Sequence, residues 1–126
     1  MPRFVILEHD YPTRHWDFML EAGPVLRTWR LSTPPEVGRA IEAEPSFDHR
    51  PVYLDYEGPV SGDRGVVKRW DTGTFSWESD APDRIAVNLM GGRIAGRVVL
   101  QRDGETWLLT VGPGISDQNP GESRRS

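Results

Sequence analysis

The reading of the fold starts from His9-Asp10-Tyr11-Pro12-Thr13-Arg14-His15-Trp16-Asp17-Phe18-Met19-Leu20-Glu21. Within it Trp16, Phe18 and Leu20 alternate with His15, Asp17, Met19 and Glu21. Residues two apart share one face of a strand, so the apolar set faces a core and the other face carries His-x-Asp. The turn formers Asp10, Pro12 and Thr13 bring His9 back beside His15. Two imidazoles and a carboxylate then converge, a ligand set suited to a divalent transition metal with open positions.

On either side of this stretch the chain reads as short strands. Arg3 to Glu8 holds an apolar run and reads as a first strand, at least partly buried on both faces. Ala22-Gly23-Pro24 turns His15–Glu21 into a hairpin with Val25–Leu31. Ser32-Thr33-Pro34-Pro35 breaks the pattern, and Glu36 to Glu44 is expected to be a short helix, capped by Thr33, striped by Val37, Ala40 and Ile41, and ended by Pro45. Phe47 to Pro51 reads as a loop and Val52 to Glu57 as a strand. Further strands are expected at Val66–Asp71, Thr74–Glu78, Arg84–Leu89, Arg93–Gln101 and Thr106–Val111, with hairpin turns at Thr72-Gly73, Gly91-Gly92 and Asp103-Gly104. The expected fold is therefore mainly β: a small antiparallel β-barrel of about eight strands with at most one or two short helices. The barrel is expected over 1–112, and 113–126, polar and rich in Gly, Pro and Ser, is expected to be a disordered tail.

With 126 residues, the chain is sized for one domain with one core. Eleven Pro and thirteen Gly disfavour long helices. No apolar run approaches the roughly 20 residues that span a bilayer, and the N-terminus lacks a signal-peptide pattern, so a cytoplasmic monomer is expected. The absence of cysteine excludes disulfides and thiolate metal sites, leaving His, Asp and Glu as ligands. The net charge of −4 is the wrong sign for binding nucleic acid by charge alone. A nucleic-acid role needs a bound metal or a local cationic patch, for which Arg27 and Arg30, Arg64, Lys68 and Arg69, or Arg93 and Arg97 are candidates.

All three histidines lie within the first 49 positions, as for a site assembled by N-terminal strands on a structural barrel. With no sulfur ligand, Mn, Fe, Zn and Ni all fit. Such a metal acts as a Lewis acid on a phosphoryl oxygen or generates hydroxide from bound water. His15-x-Asp17 with His49 also spells the facial triad of non-haem iron oxygenases, a reading that leaves His9 unexplained. His49 and Tyr53 are donors suited to an anionic substrate.

Three blocks occur in order: His9-x5-His15-Trp16-Asp17-Phe18-x-Leu20-Glu21, Asp48-His49-x3-Tyr53-x-Asp55-Tyr56-Glu57-Gly58, and Trp70-Asp71-x-Gly73-Thr74. Together with Leu89-Met90-Gly91-Gly92-Arg93-Ile94-Ala95-Gly96 and Trp107-Leu108-Leu109, they make the chain resemble the 3'-phosphoesterase domain of bacterial DNA ligase D from about Phe4 to Val111. The resemblance implies a β-barrel that trims DNA 3' ends in end repair, removing terminal ribonucleosides and 3'-phosphates. It implies a divalent metal, typically Mn2+ with Zn2+ or another ion as alternatives, on His9, His15 and Asp17. It also implies phosphate contacts from His49 and Tyr53, with Arg39 as the nearest counterpart of a further arginine. DNA or DNA/RNA 3' ends are the implied partners, with a separate DNA ligase or polymerase as a protein partner. One position departs from the family pattern His-Tyr-Asp-Phe-Arg-Leu-Glu: its phosphate-holding arginine is Met19 here. A thioether cannot donate a hydrogen bond, and losing such a contact costs about 2–4 kcal/mol of transition-state stabilisation. Arg14, Arg27, Arg30 and Arg50 are the candidates to compensate. The alternative is a catalytically weakened member that binds a metal and a nucleic-acid end without efficient hydrolysis.

Overall fold

The computed structural model describes residues 1–113. The strands are β1 (Arg3–His9), β2 (His15–Ala22), β3 (Val25–Leu31), β4 (Ile41–His49), β5 (Gly58–Pro59), β6 (Val66–Ala81), β7 (Arg84–Gly91), β8 (Ala95–Asp103) and β9 (Thr106–Pro113). They pair in the order β1-β2-β3-β4-β9-β8-β7-β6, and β6 pairs back onto β1, so eight strands close an antiparallel barrel. The two-residue β5 is an appendage on β6. Closure removes the unpaired edges that an open sheet would expose. Among the described residues no helix is long and apolar enough to cross a membrane. The expected tail falls on 114–126, outside the described residues, while Pro113 itself ends β9.

Alternation along β1 and β2 divides the buried residues into two sets. Phe4, Ile6, Phe18 and Leu20 enter the main core with Trp29, Leu31, Phe75, Ile85 and Leu100. Val5, Leu7 and Met19 point the other way, into a second cluster with Leu26, Leu54 and Val67. The wall formed by β1, β2 and β3 is therefore apolar on both sides, and its outer side is covered by a short 3-10 turn at Pro51–Leu54.

Three expected elements take a different form. There is no helix over 36–44: Gly38 has φ +83, and Val37 bridges Val111. Ile41 and Ala43 then bury in the core while Glu42 and Glu44 are exposed, a period of two that makes this segment the start of β4. Strand β4 continues through Phe47 and His49, which were expected in a loop. The expected strand at Val52–Glu57 is replaced by the 3-10 turn, with Pro51 at its first position and Leu54 buried.

The Thr72-Gly73 turn is also absent, because β6 runs unbroken from Val66 to Ala81. Its first half pairs with β1 and its second half with β7, with register shifts between Ile6 and Leu7 and between Trp77 and Ser79 absorbing the bend. Gly73 lies against the backbone of Met90 and Gly91, where a Cβ has no room. The buried Asp71 carboxylate accepts hydrogen bonds from the amides of Gly92 (2.8 Å), Arg93 (3.1 Å) and Ile94 (2.8 Å). The Trp70-Asp71-x-Gly73 block thus locks the β7–β8 turn, and its role is architectural.

Candidate active site

His9 and His15 end β1 and begin β2, and they are register partners across that ladder. Asp17 lies one pleat further along β2 on the same outer face. Nitrogen or oxygen atoms of the three lie within 4.8 Å of one another. His15 Nε2 is 3.3 Å from Asp17 Oδ2, and His9 Nδ1 is 3.8 Å from the same oxygen.

The other nitrogen of each ring is held by the backbone. His9 Nε2 lies 2.8 Å from the Arg64 carbonyl oxygen, and His15 Nδ1 lies 2.8 Å from that of Thr13. A carbonyl only accepts, so these nitrogens carry protons and donate. In the neutral imidazoles the lone pairs then sit on His9 Nδ1 and His15 Nε2, both turned towards the Asp17 carboxylate.

Lone pairs converging on a carboxylate repel unless a cation lies between them. His15 Nε2 is buried, and its approach to Asp17 lacks hydrogen-bond geometry. The Asp17 carboxylate, 3.3 Å from the ring, raises the His15 pKa. Backbone-anchored outer N–H groups are also the usual support for histidine metal ligands. The donor set and its orientation therefore fit a divalent ion on His9, His15 and Asp17.

A cavity of about 430 Å3 opens beside this group, lined by His9, Asp17, Met19, Arg30, His49 and Tyr53 among others. His15 lies behind that lining and borders a neighbouring cavity, which Arg30 also reaches. Met19 is 1% exposed and belongs to the second apolar cluster, so it forms part of the floor. Arg30 pairs in register with Asp17, which places both side chains on one face of the β2–β3 ladder. Among the described residues, Arg30 Nε is buried without a hydrogen-bond partner. By contrast Arg14 is paired with Glu8, and Arg27 with Asp80.

His49 reaches the cavity because of a register irregularity. Thr28 pairs with Ser46, but Leu26 pairs with His49, so the β3–β4 ladder carries an extra β4 residue between them. That bulge turns His49 onto the outer face with Thr28. His49 Nδ1 lies 3.0 Å from both the Phe47 carbonyl oxygen and Thr28 Oγ1, while the Thr28 hydroxyl donates to the Leu26 carbonyl. Nδ1 is thus the protonated nitrogen, and Nε2 is left for the cavity. Burial lowers the His49 pKa and favours the neutral ring. Tyr53, carried by the 3-10 turn, packs edge-on to His49 with ring centroids 5.5 Å apart.

Of the residues expected from sequence, His9, Asp17, His49 and Tyr53 meet at this cavity, and His15 converges on His9 and Asp17 from behind it. Arg39 is exposed, paired with Glu36, and outside the lining. Arg50 lines the cavity rim. Thr28 and Phe47 were not anticipated. A threonine on the outer face of β3, between Leu26 and Arg30, was the available signal for the first. For Phe47 no local signal existed, because its position depends on the bulge.

The fold and this site define a class: all-β barrel domains that carry a two-histidine, one-carboxylate group on the outside of the barrel wall. Within that class the family is shown by sequence. Residues 7–102 match the DNA Ligase D 3'-phosphoesterase domain, and the chain belongs to that family. It is 38% identical, over 83% of its length, to the multifunctional non-homologous end joining DNA repair protein LigD of Mycobacterium tuberculosis. It is 32% identical over 84% of its length to the corresponding protein of Mycolicibacterium smegmatis, and 28% identical over 75% to that of Pseudomonas aeruginosa. The matches cover 15%, 16% and 12% of those relatives, so the chain corresponds to one domain of much longer proteins.

Proposed function

We propose that this chain is a metal-dependent phosphoesterase acting on DNA 3' ends in end repair. It hydrolyses the phosphodiester that joins a 3'-terminal ribonucleoside, releasing the nucleoside and leaving a 3'-phosphate. A second hydrolysis releases that phosphate. The observation that carries this reading is the pair of backbone-anchored imidazoles whose lone pairs converge on Asp17, beside a cavity holding Arg30, His49 and Tyr53. The family supports the same role.

His9, His15 and Asp17 hold the ion, with Mn2+ our choice and Zn2+ the alternative. When bound, it supplies Lewis-acid polarisation of a phosphoryl oxygen and a lowered pKa for water. The other roles fall to this chain's own side chains. Arg30, with Nε buried and unpaired, is the cation we assign to the phosphate in place of the arginine missing at Met19. His49 has Nδ1 committed to Phe47 and presents Nε2. An anionic phosphate beside that nitrogen favours its protonation, after which it donates to a phosphoryl oxygen. The Tyr53 hydroxyl donates from the 3-10 turn. Arg39, outside the cavity, is given no role.

DNA or DNA/RNA 3' ends are the substrates in this reading. In this reading the chain acts as a monomer in the cytoplasm, and a DNA ligase or polymerase activity completes the repair. The test is release of a 3'-terminal ribonucleoside, and then of inorganic phosphate, from a primer-template with Mn2+. Absence of turnover in a protein that binds Mn2+ overturns the assignment. It favours instead a weakened member that holds a metal and a nucleic-acid end, the reading that Met19 motivates.

A further inference from the structure

Phe47 is 71% exposed, although it is a large apolar side chain on a strand. Its ring stacks on the His49 imidazole with centroids 4.5 Å apart and planes 13° from parallel. One face of the phenyl ring is thus used by His49 and the other is open to solvent. Tyr11, 44% exposed, lines the same cavity as Phe47. Single exposed apolar residues are ordinary, but two exposed aromatic rings lining one cavity offer flat faces that water solvates poorly.

From these positions we infer that Phe47 is a base-stacking platform, taking the nucleobase of the 3'-terminal nucleotide on its open face. The inference rests on the phosphoesterase reading and adds to it the part of the substrate that is recognised. The base extends the stack already begun by Phe47 and His49, and the phosphate of the same nucleotide lies on the cavity side. Aromatic stacking is sequence-tolerant because every base has a π face, and it does not need a basic protein. That suits a chain with a net charge of −4, whose grip on a strand cannot rest on many phosphate contacts. The occupant is a single terminal base, since Phe47 has one open face and lines one cavity.

The test compares two ends that carry the same phosphodiester, one with a terminal ribonucleoside and one with a terminal ribose lacking its base. Wild-type protein with Mn2+ is expected to prefer the base-bearing end by about 5- to 150-fold in kcat/KM. Phe47→Ala is expected to bring that ratio close to one, and Phe47→Trp to keep it. The ratio separates recognition from support of His49, because a loosened His49 slows both ends alike. An unchanged ratio in Phe47→Ala overturns the inference.

A second measurement reads binding alone, using fluorescence of 2-aminopurine as the terminal base. Quenching by wild type that is lost in Phe47→Ala supports stacking even if neither end is hydrolysed. In that case only the phosphoesterase reading fails. Equal quenching by both proteins, or none by either, overturns the platform.

Discussion

His9 and His15 face each other across the β1–β2 ladder, with ring centroids 4.9 Å apart. Each is tied by its outer nitrogen to a backbone carbonyl, so the pair is oriented towards Asp17 before anything binds. Mn2+ is therefore expected to stabilise the wild-type fold, by about 2.7 kcal/mol at a hundredfold excess over its Kd. His9→Ala and Asp17→Ala should lose both the bound ion and this increment. Thermal melts with and without Mn2+, together with metal analysis of the purified proteins, check it. A wild-type melt indifferent to every divalent ion tested contradicts the ligand assignment.

Arg30→Ala is expected to slow 3'-end hydrolysis by roughly 30- to 1000-fold, the loss of one charge-assisted contact in the transition state. Metal binding should survive, because Arg30 is not a ligand. Met19→Arg enters the apolar floor formed with Val5, Leu7 and Leu26 and should lower stability by about 1–3 kcal/mol. Added to Arg30→Ala, however, it should recover turnover, since position 19 lines the same cavity. Single-turnover rates of the four proteins decide the matter. Full activity in Arg30→Ala removes that residue from the site.

The pH dependence of stability carries a signature of His49. Burial holds its pKa below the ordinary 6.5, so the unfolded chain binds the proton more tightly than the folded one. As pH falls below that value, the unfolded state gains a proton that the native state resists, and stability drops until the folded pKa is passed. His15 acts in the opposite sense, because its raised pKa favours the folded state until pH rises through it. The cleaner measurement is thus a difference. In metal-free protein, His49→Gln should lose less stability than wild type between about pH 7 and pH 5. Parallel denaturation curves for the two would contradict a half-buried, neutral His49.

Asp71 offers a purely structural prediction. Its carboxylate accepts from four backbone amides, those of Thr72, Gly92, Arg93 and Ile94. Asp71→Ala strands those donors and should destabilise the barrel by about 2–4 kcal/mol. Asp71→Asn keeps one acceptor oxygen and should fall between. Urea denaturation measures both. Because Asp71 is not part of the cavity lining, Mn2+ affinity of the folded variant should match wild type.

Sequence alone determined the parts that depend on local alternation. In β2 every second residue identifies a face, so the outer positions of His15, Asp17 and Met19 could be read directly. The turn residues between His9 and His15 implied the cross-strand pair, and repeated short apolar runs separated by glycine implied a barrel. Tertiary structure decided what depends on pairing between distant strands. The bulge opposite β3 turns His49 to the outer face and brings Phe47 onto its ring. The register that sets Arg30 against Asp17 separates it from Arg14 and Arg27, which are otherwise equivalent arginines in the chain. Gly73 reads as a turn until Met90 and Gly91 are packed against it, and only then is the continuous β6 required. Alternation is a property of a strand by itself, whereas register and bulges arise from hydrogen bonds to another strand. The convergence of His9, His15 and Asp17 was legible for the first reason, and the half of the cavity lined by Arg30 and His49 had to await the second.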